Sequence, residues 1–295
     1  MFFDEKYSGR KYILADKTYE EAPIVFFGLP MDYTVSFRPG SRFGPNRIRE
    51  ASIGLEEYSI HQDRSLEDIS VHDAGDMLLP FGNAAKSLEQ MRTYAGQLYR
   101  DGKFPLAAGG EHLVSWPLIQ AAHAEYPDLI LIHIDAHADL REEYEGETLS
   151  HSTPVRKACG LLGPENVYSF GIRSGMKEEF DYARESGMHL SLFDVKKPLQ
   201  RVLPSLQGKN VYVTIDIDVL DPAYAPGTGT PEAGGITSRE LLEAIGLIAD
   251  ADMTVVGADL VEVAPAYDPA EQTSVAAAKF LREMMLGFPK DRECR

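Results

Sequence analysis

The sequence predicts an open α/β fold built on a parallel sheet, and three observations predict it. Short β-rich apolar runs alternate with helix-like segments through most of the 295 residues, the pattern of repeated strand–helix units. Several of those runs are apolar almost throughout, as parallel strands covered on both faces require. No linker, low-complexity tract or fixed-period repeat divides the chain, so residues 1–295 read as one domain.

Taken in order, the predicted strands are Ile24 to Gly28, Phe104 to Ala108, Leu129 to Ile134, Val167 to Gly171, Val211 to Ile215 and Thr254 to Ala258. Helices are predicted over Ala84 to Arg100, Ser115 to Tyr126, Lys177 to Ser186, Ser238 to Ala249 and Glu271 to Leu286. Two charge-rich segments, Ser41 to Arg49 and Arg141 to Thr148, read as surface loops or a short helix, with Pro45 suited to a first helical turn.

Composition narrows the function. With 29 basic and 46 acidic residues the net charge is −17, which argues against a nucleic-acid partner, since phosphate binding needs a basic surface. Cys159 and Cys294 are too few for a disulfide framework and have no metal-binding spacing, so a reducing cytoplasm is the expected compartment. The segment Met1-Phe2-Phe3-Asp4-Glu5-Lys6 lacks the basic and apolar regions of a signal peptide. No apolar stretch has membrane-spanning length; no membrane partner is expected.

Three acidic runs follow predicted strands: Gly109-Gly110-Glu111-His112, Asp135-Ala136-His137-Ala138-Asp139, and Asp216-Ile217-Asp218 with Asp221 just beyond. In open α/β sheets, ligands bind outside the carboxyl ends of the strands, so three distant segments deliver side chains to one sheet edge. Glu262 follows the Thr254 strand by the same logic. The odd positions of an extended strand end project to one side, which would make Asp135, His137 and Asp139 converge, and Asp216 and Asp218 likewise. Two glycines before His112 let the backbone turn sharply and approach closely. His133, inside an apolar strand, reads as a core group behind the ligands, and His61, His72, His123 and His189 as structural.

Such a set supplies four carboxylates and two imidazoles, more than one ion takes. Clustered carboxylates repel one another unless cations neutralise them, and a mixed N/O set suits hard or borderline divalent ions such as Mn²⁺. Two ions roughly 3.5–4 Å apart can share a water and lower its pKa, giving a nucleophilic hydroxide without Ser or Cys. The chain has no Gly-x-Ser-x-Gly elbow, P-loop or dinucleotide fingerprint. A two-metal hydrolytic centre is the expectation.

These runs resemble the signatures of the ureohydrolase (arginase/agmatinase) family. The likeness continues through Asp216-Ile217-Asp218-Val219-Leu220-Asp221-Pro222, Ala225-Pro226-Gly227-Thr228-Gly229-Thr230-Pro231 and Val261-Glu262-Val263-Ala264-Pro265. It implies a three-layer α/β/α fold, a homo-oligomer (trimer or hexamer), two Mn²⁺ per chain, and hydrolysis of a guanidino group to urea by a metal-bridging hydroxide. The implied ligands are His112, Asp135, His137, Asp139, Asp216 and Asp218, with Asp139 also accepting a hydrogen bond from the hydroxide. His151 matches a proton-shuttling histidine and Glu262 the carboxylate that holds the guanidinium. Ser152 stands where the family commonly has Gly.

Within the family, the Ser150-His151-Ser152-Thr153-Pro154 run and the segment from Ser36 to Pro45 are most similar to bacterial agmatinases. Glu142, Glu143, Glu145 and Glu147 would form an acidic rim that attracts the ammonium of a small cationic guanidino substrate and repels an α-carboxylate. The expected reaction is therefore agmatine plus water to putrescine and urea. The alternatives are a ureohydrolase for arginine, guanidinobutyrate or guanidinopropionate, and a non-catalytic metal-binding member.

Overall fold

The computed structural model describes residues 2–3 and 9–290. Cys294, Met1 and the run Asp4, Glu5 and Lys6 lie outside the described residues. In chain order the elements are β1 (Ile24–Leu29), α1 (Gly44–Ser52), β2 (Tyr58–Ser59), β3 (Arg64–Ser65), β4 (Val71–Asp76), α2 (Ala84–Arg100), β5 (Phe104–Gly109), α3 (Ser115–Glu125) and β6 (Ile130–Ile134). Then follow α4 (Pro154–Leu162), β7 (Val167–Ile172), α5 (Lys177–Ser186), β8 (His189–Leu192), α6 (Lys196–Val202), β9 (Asn210–Asp216), α7 (Ser238–Asp250), β10 (Thr254–Val261) and α8 (Gln272–Gly287).

Eight strands form one sheet in the order β4-β1-β5-β10-β9-β6-β7-β8, and every pairing in it is parallel. β2 and β3 make a separate antiparallel pair. Alternate residues of β1 enter different cores: Ile24 and Phe26 join Ile48 of α1, Leu199 of α6, Ile245 of α7 and Leu281 of α8. Val25, Phe27 and Leu29 join Met91 of α2, Leu118 of α3, Val155 of α4 and Ala183 of α5. The period of two along a strand thus builds the three layers, as the resemblance implied.

All six expected strands and five expected helices are present. β10 runs three residues past its expected end, because Asp259 interrupts an apolar run that continues in Leu260 and Val261. Besides the short pair β2 and β3, the strands not expected are β4 and β8, the two edges of the main sheet. β4 reads Val-His-Asp-Ala-Gly-Asp and β8 His-Leu-Ser-Leu; neither carries the continuous apolar run of a strand covered on both faces. Helices α4 and α6 were also not expected; each is short.

The segment Ser41 to Arg49 is not wholly surface. It starts α1 with Pro45 in the first turn, as predicted, and turns Ile48 and Arg49 inward. Arg49 is buried between Asp73 (2.8 Å) and Asp76, with its guanidinium 4.9 Å from the Phe26 ring. One buried cation satisfied by two carboxylates ties α1 to the polar edge strand β4.

Gly110 allows a close approach, as expected, but to the chain just beyond β1. Its φ is not positive; it is required because the Met31 backbone passes close by. A Cβ there would lie 1.9 Å from the Met31 carbonyl oxygen, while Gly110 and Glu111 donate their N–H groups to Leu29 and Met31. Gly110→Ala should therefore destabilise the fold by about 3 kcal/mol. Gly160→Ala, where a Cβ meets nothing within 4 Å, should stabilise α4 by about 0.5 kcal/mol. Chemical unfolding of the two variants checks both signs; equal effects would refute the close-approach account.

Candidate metal centre

The four central strands of the sheet, β5, β10, β9 and β6, deliver every candidate residue but one from their carboxyl ends. His112 follows β5, Glu262 follows β10, Asp216 ends β9 with Asp218 beyond it, and Asp135, His137 and Asp139 follow β6. His151 comes from the loop before α4 and reaches the same cavity of about 280 Å³. The sequence therefore brought its eight candidates to one place.

They converge by turns, not by the extended alternation expected. β6 ends at Ile134; the Asp135 carboxylate then accepts the His137 N–H (2.6 Å), and Asp139 has a left-handed backbone, φ 53°. Asp216 accepts the Asp218 N–H (2.8 Å) across a 3₁₀ turn. Glu262 is left-handed too, at φ 65°. Two non-glycine residues in this sparse region mark strain held at the site by the surrounding structure. Strand periodicity cannot anticipate it.

The charges fall into two nests that share Asp135. In the first, His112 Nδ1 lies 2.9 Å from Asp135 Oδ2, 3.2 Å from Asp139 Oδ2 and 3.3 Å from Asp216 Oδ2. In the second, His137 Nδ1 lies 3.0 Å from Asp218 Oδ2 and 3.6 Å from Asp135 Oδ1. Each oxygen of Asp135 thus faces a different histidine. His133, in the core of β6 as expected, orients this carboxylate: its Nε2 lies 2.9 Å from Asp135 Oδ2 and its Nδ1 2.8 Å from Ser169 Oγ.

A metal ion fits the first nest better than a proton does. Thr214 Oγ1 donates to Asp259 Oδ1 (2.6 Å), so it accepts from His112 Nε2 (3.0 Å), which must carry the hydrogen. His112 Nδ1 is left buried, without a hydrogen bond, among three carboxylate oxygens. A ring nitrogen and three oxygens aimed at one point is the donor set of a divalent cation, and the Thr214–Asp259 pair fixes the ring behind it. Burial, together with the nearby Asp218 and Asp135 charges, pushes the Asp216 carboxyl well above the usual carboxylate range, the cost of gathering anions without a counter-charge.

Residues that sequence reasoning missed hold the other side of the cavity. His151 Nδ1 lies 2.7 Å from the Thr34 carbonyl, its N–H donates to Thr34 Oγ1 (2.9 Å), and its Nε2 lies 3.2 Å from Ser36 Oγ. Glu111 Oε2 in turn accepts the Thr34 N–H (2.8 Å), and burial raises its pKa to about 7. Glu111 stood inside a recognised motif, but nothing in its spacing pointed to Thr34. Glu179, buried, accepts the N–H groups of Leu140 and Met176. Glu262 accepts the His112 N–H (2.8 Å) and lines the cavity.

The acidic rim is not where it was expected. Glu142, Glu143, Glu145 and Glu147 are exposed and none lines the cavity; Glu142 pairs with Arg156. The loop turns Arg141 and Tyr144 inward instead. Cys159, the free cysteine among the described residues, is buried with its thiol pushed up to about 11; it is no nucleophile. No described helix is long and apolar enough to cross a membrane.

A parallel sheet that gathers a histidine–carboxylate nest at the ends of its central strands has the donor set and the position of a metal-binding active site. The sequence pattern of the arginase family matches residues 22–287. The agmatinase of Halalkalibacterium halodurans is 67% identical over 288 residues, 98% of this chain and 100% of that protein. The human mitochondrial guanidino acid hydrolase is 37% identical over 276 residues, 90% of this chain and 78% of that protein. The crystal structure of the agmatine ureohydrolase of Thermoplasma volcanium superposes with a TM-score of 0.86 at 34% identity, over 95% of this chain and 94% of that one. The chain belongs to the arginase family.

Asp216→Asn keeps the oxygen that accepts the Asp218 N–H but removes an acid that, without metal, must either stay charged among anions or take up a proton at a cost in stability. In metal-free protein it should raise the melting temperature by about 2 °C, the effect of roughly 1 kcal/mol on a chain of this size. It should also shrink the further rise that divalent metal brings. Scanning calorimetry with and without chelator checks both; a lower melting point in the metal-free variant would contradict the repulsion.

Proposed function

We propose that residues 1–295 act as one domain that hydrolyses agmatine to putrescine and urea. One observation carries the chemistry: His112 Nδ1, unbonded and buried among three carboxylate oxygens. The substrate assignment draws support from relatives such as the 67% identical agmatinase. Two Mn²⁺ would be held by His112, Asp135, Asp139 and Asp216 on one side and by Asp135, His137 and Asp218 on the other. When bound, such a pair supplies Lewis acidity and an activated water. The reading extends to a homo-oligomer, trimer or hexamer, working in the cytoplasm, where free thiols stay reduced.

The chain's own residues do the rest. Glu262 offers a buried carboxylate, the geometric complement of a planar guanidinium, and its bond to the His112 N–H fixes it beside the nest. A cationic guest also offsets the cost of keeping that carboxylate charged, since burial and then Glu111 raise its pKa well above the usual range. At His151 the contact with the Thr34 carbonyl places the hydrogen on Nδ1, leaving the Nε2 lone pair towards Ser36 and the cavity. Burial lowers the pKa of this ring, so it is neutral at pH 7 and can carry a proton in transit to the departing amine.

Arg141 favours a second reading. A cation in the cavity wall would pair with the carboxylate of a guanidino acid, the substrate class in the name of the human relative. Urea release from agmatine, arginine, 4-guanidinobutyrate and 3-guanidinopropionate with Mn²⁺ present separates the two. Agmatine should exceed each of the others by at least about tenfold in kcat/KM, a differential of about 1.4 kcal/mol; faster turnover of 4-guanidinobutyrate would install the second reading. Glu262→Gln should retain metal yet lose about a hundredfold or more in kcat/KM, measured by the same assay beside metal analysis. A wild-type rate in that variant would remove Glu262 from the mechanism.

A further inference from the structure

Resting on the agmatine reading, we infer that the ring face of Tyr144 selects the distal cation of the substrate and that Arg141 is an intramolecular place-holder for that cation. The loop is built to present this ring. Tyr144 and Glu147 exchange both backbone hydrogen bonds at 2.9 Å, closing a two-residue turn whose central residues, Glu145 (φ 51°) and Gly146 (φ 87°), are both left-handed. That is the tight primed turn of a β-hairpin, for which Gly146 is suited and Glu145 strained. Strain in so short a loop fixes Tyr144 in the cavity wall, its ring centroid 5.6 Å from that of the His151 ring.

Arg141 already occupies the place a cation would take. Its guanidinium carbon lies 4.9 Å from the Tyr144 centroid, within cation–π range. Its nearest carboxylate oxygen, Glu179 Oε2, is 3.7 Å away, too far for a hydrogen bond. Both oxygens of Glu179 are engaged by the Leu140 and Met176 N–H groups. The guanidinium is therefore held by a ring face and an unbonded charge, at a side chain 30% exposed, and can swing to water at little cost. A substrate whose guanidinium sits at Glu262 extends its other end along the same cavity, where a second cation meets that ring only after Arg141 leaves.

The test compares kcat/KM for agmatine with that for n-butylguanidine, which keeps the guanidinium and lacks the distal ammonium. Tyr144→Leu should lower the agmatine-to-butylguanidine ratio about fivefold, through KM for agmatine, as loss of one cation–π contact implies. Tyr144→Phe, which keeps the ring, should restore the ratio. Arg141→Gln should raise it, because the competitor is gone. The inference is overturned if Tyr144→Leu moves both substrates equally, if Tyr144→Phe behaves like Tyr144→Leu, or if Arg141→Gln lowers the ratio. Failure of the agmatine reading looks different: wild-type protein would then prefer 4-guanidinobutyrate, and Arg141→Gln would raise KM for that acid.

Discussion

Like charge gathered out of water is the constraint on which the rest of this molecule depends. Asp135, Asp139, Asp216 and Asp218 are all buried at one end of the sheet, beside two imidazoles. Such a group is tolerable only when cations replace the water that was lost. The sheet order meets that demand geometrically: the strands that carry the acids are neighbours at its centre, although they are far apart in the chain. The left-handed backbones of Asp139 and Glu262 are the local strain by which chain leaving a strand turns a carboxylate inward instead of continuing.

Precision in this site comes from groups that would never touch a metal. His112 is braced by Thr214, which Asp259 braces in turn, while Ser115 and Tyr212 also donate to Asp259. Asp135 is braced by His133 and Ser169. His151 is braced by Thr34, held by Glu111. Each chain of contacts ends in the sheet or, at Glu111, just after β5, so rigid elements set the ring and carboxylate orientations on which binding depends. The wall facing the substrate tail is different in kind, a short strained loop holding an aromatic ring and a loosely anchored cation.

The central sheet and the site were legible in the sequence for a shared reason. Strands covered on both faces must be apolar, so Phe104, Leu129 and Val211 announce their strands, and acids placed just after them announce the carboxyl edge. β4 and β8 were not legible, because an edge strand needs no continuous apolar run; Arg49 was misread because a charged residue in a polar stretch gives no sign of the partners that bury it. Within the site, the convergence of the residues was legible and their conformations were not: an alternating pattern suggested extended backbone at Asp135 to Asp139, where the chain turns. Glu142 to Glu147 show the same limit from another side. Composition suggested an acidic rim, and only the folded loop shows that these glutamates are exposed and stand outside the wall of the metal-site cavity.

Asp135 belongs to both donor groups, and in the proposed two-ion centre this one carboxylate would be shared between two cation positions. Anomalous diffraction at the manganese edge, from crystals grown with Mn²⁺, tests it most directly. Two peaks per chain are predicted, one beside His112 and one beside His137, each in contact with a different oxygen of Asp135. A single peak, or peaks that leave Asp135 untouched, would contradict it.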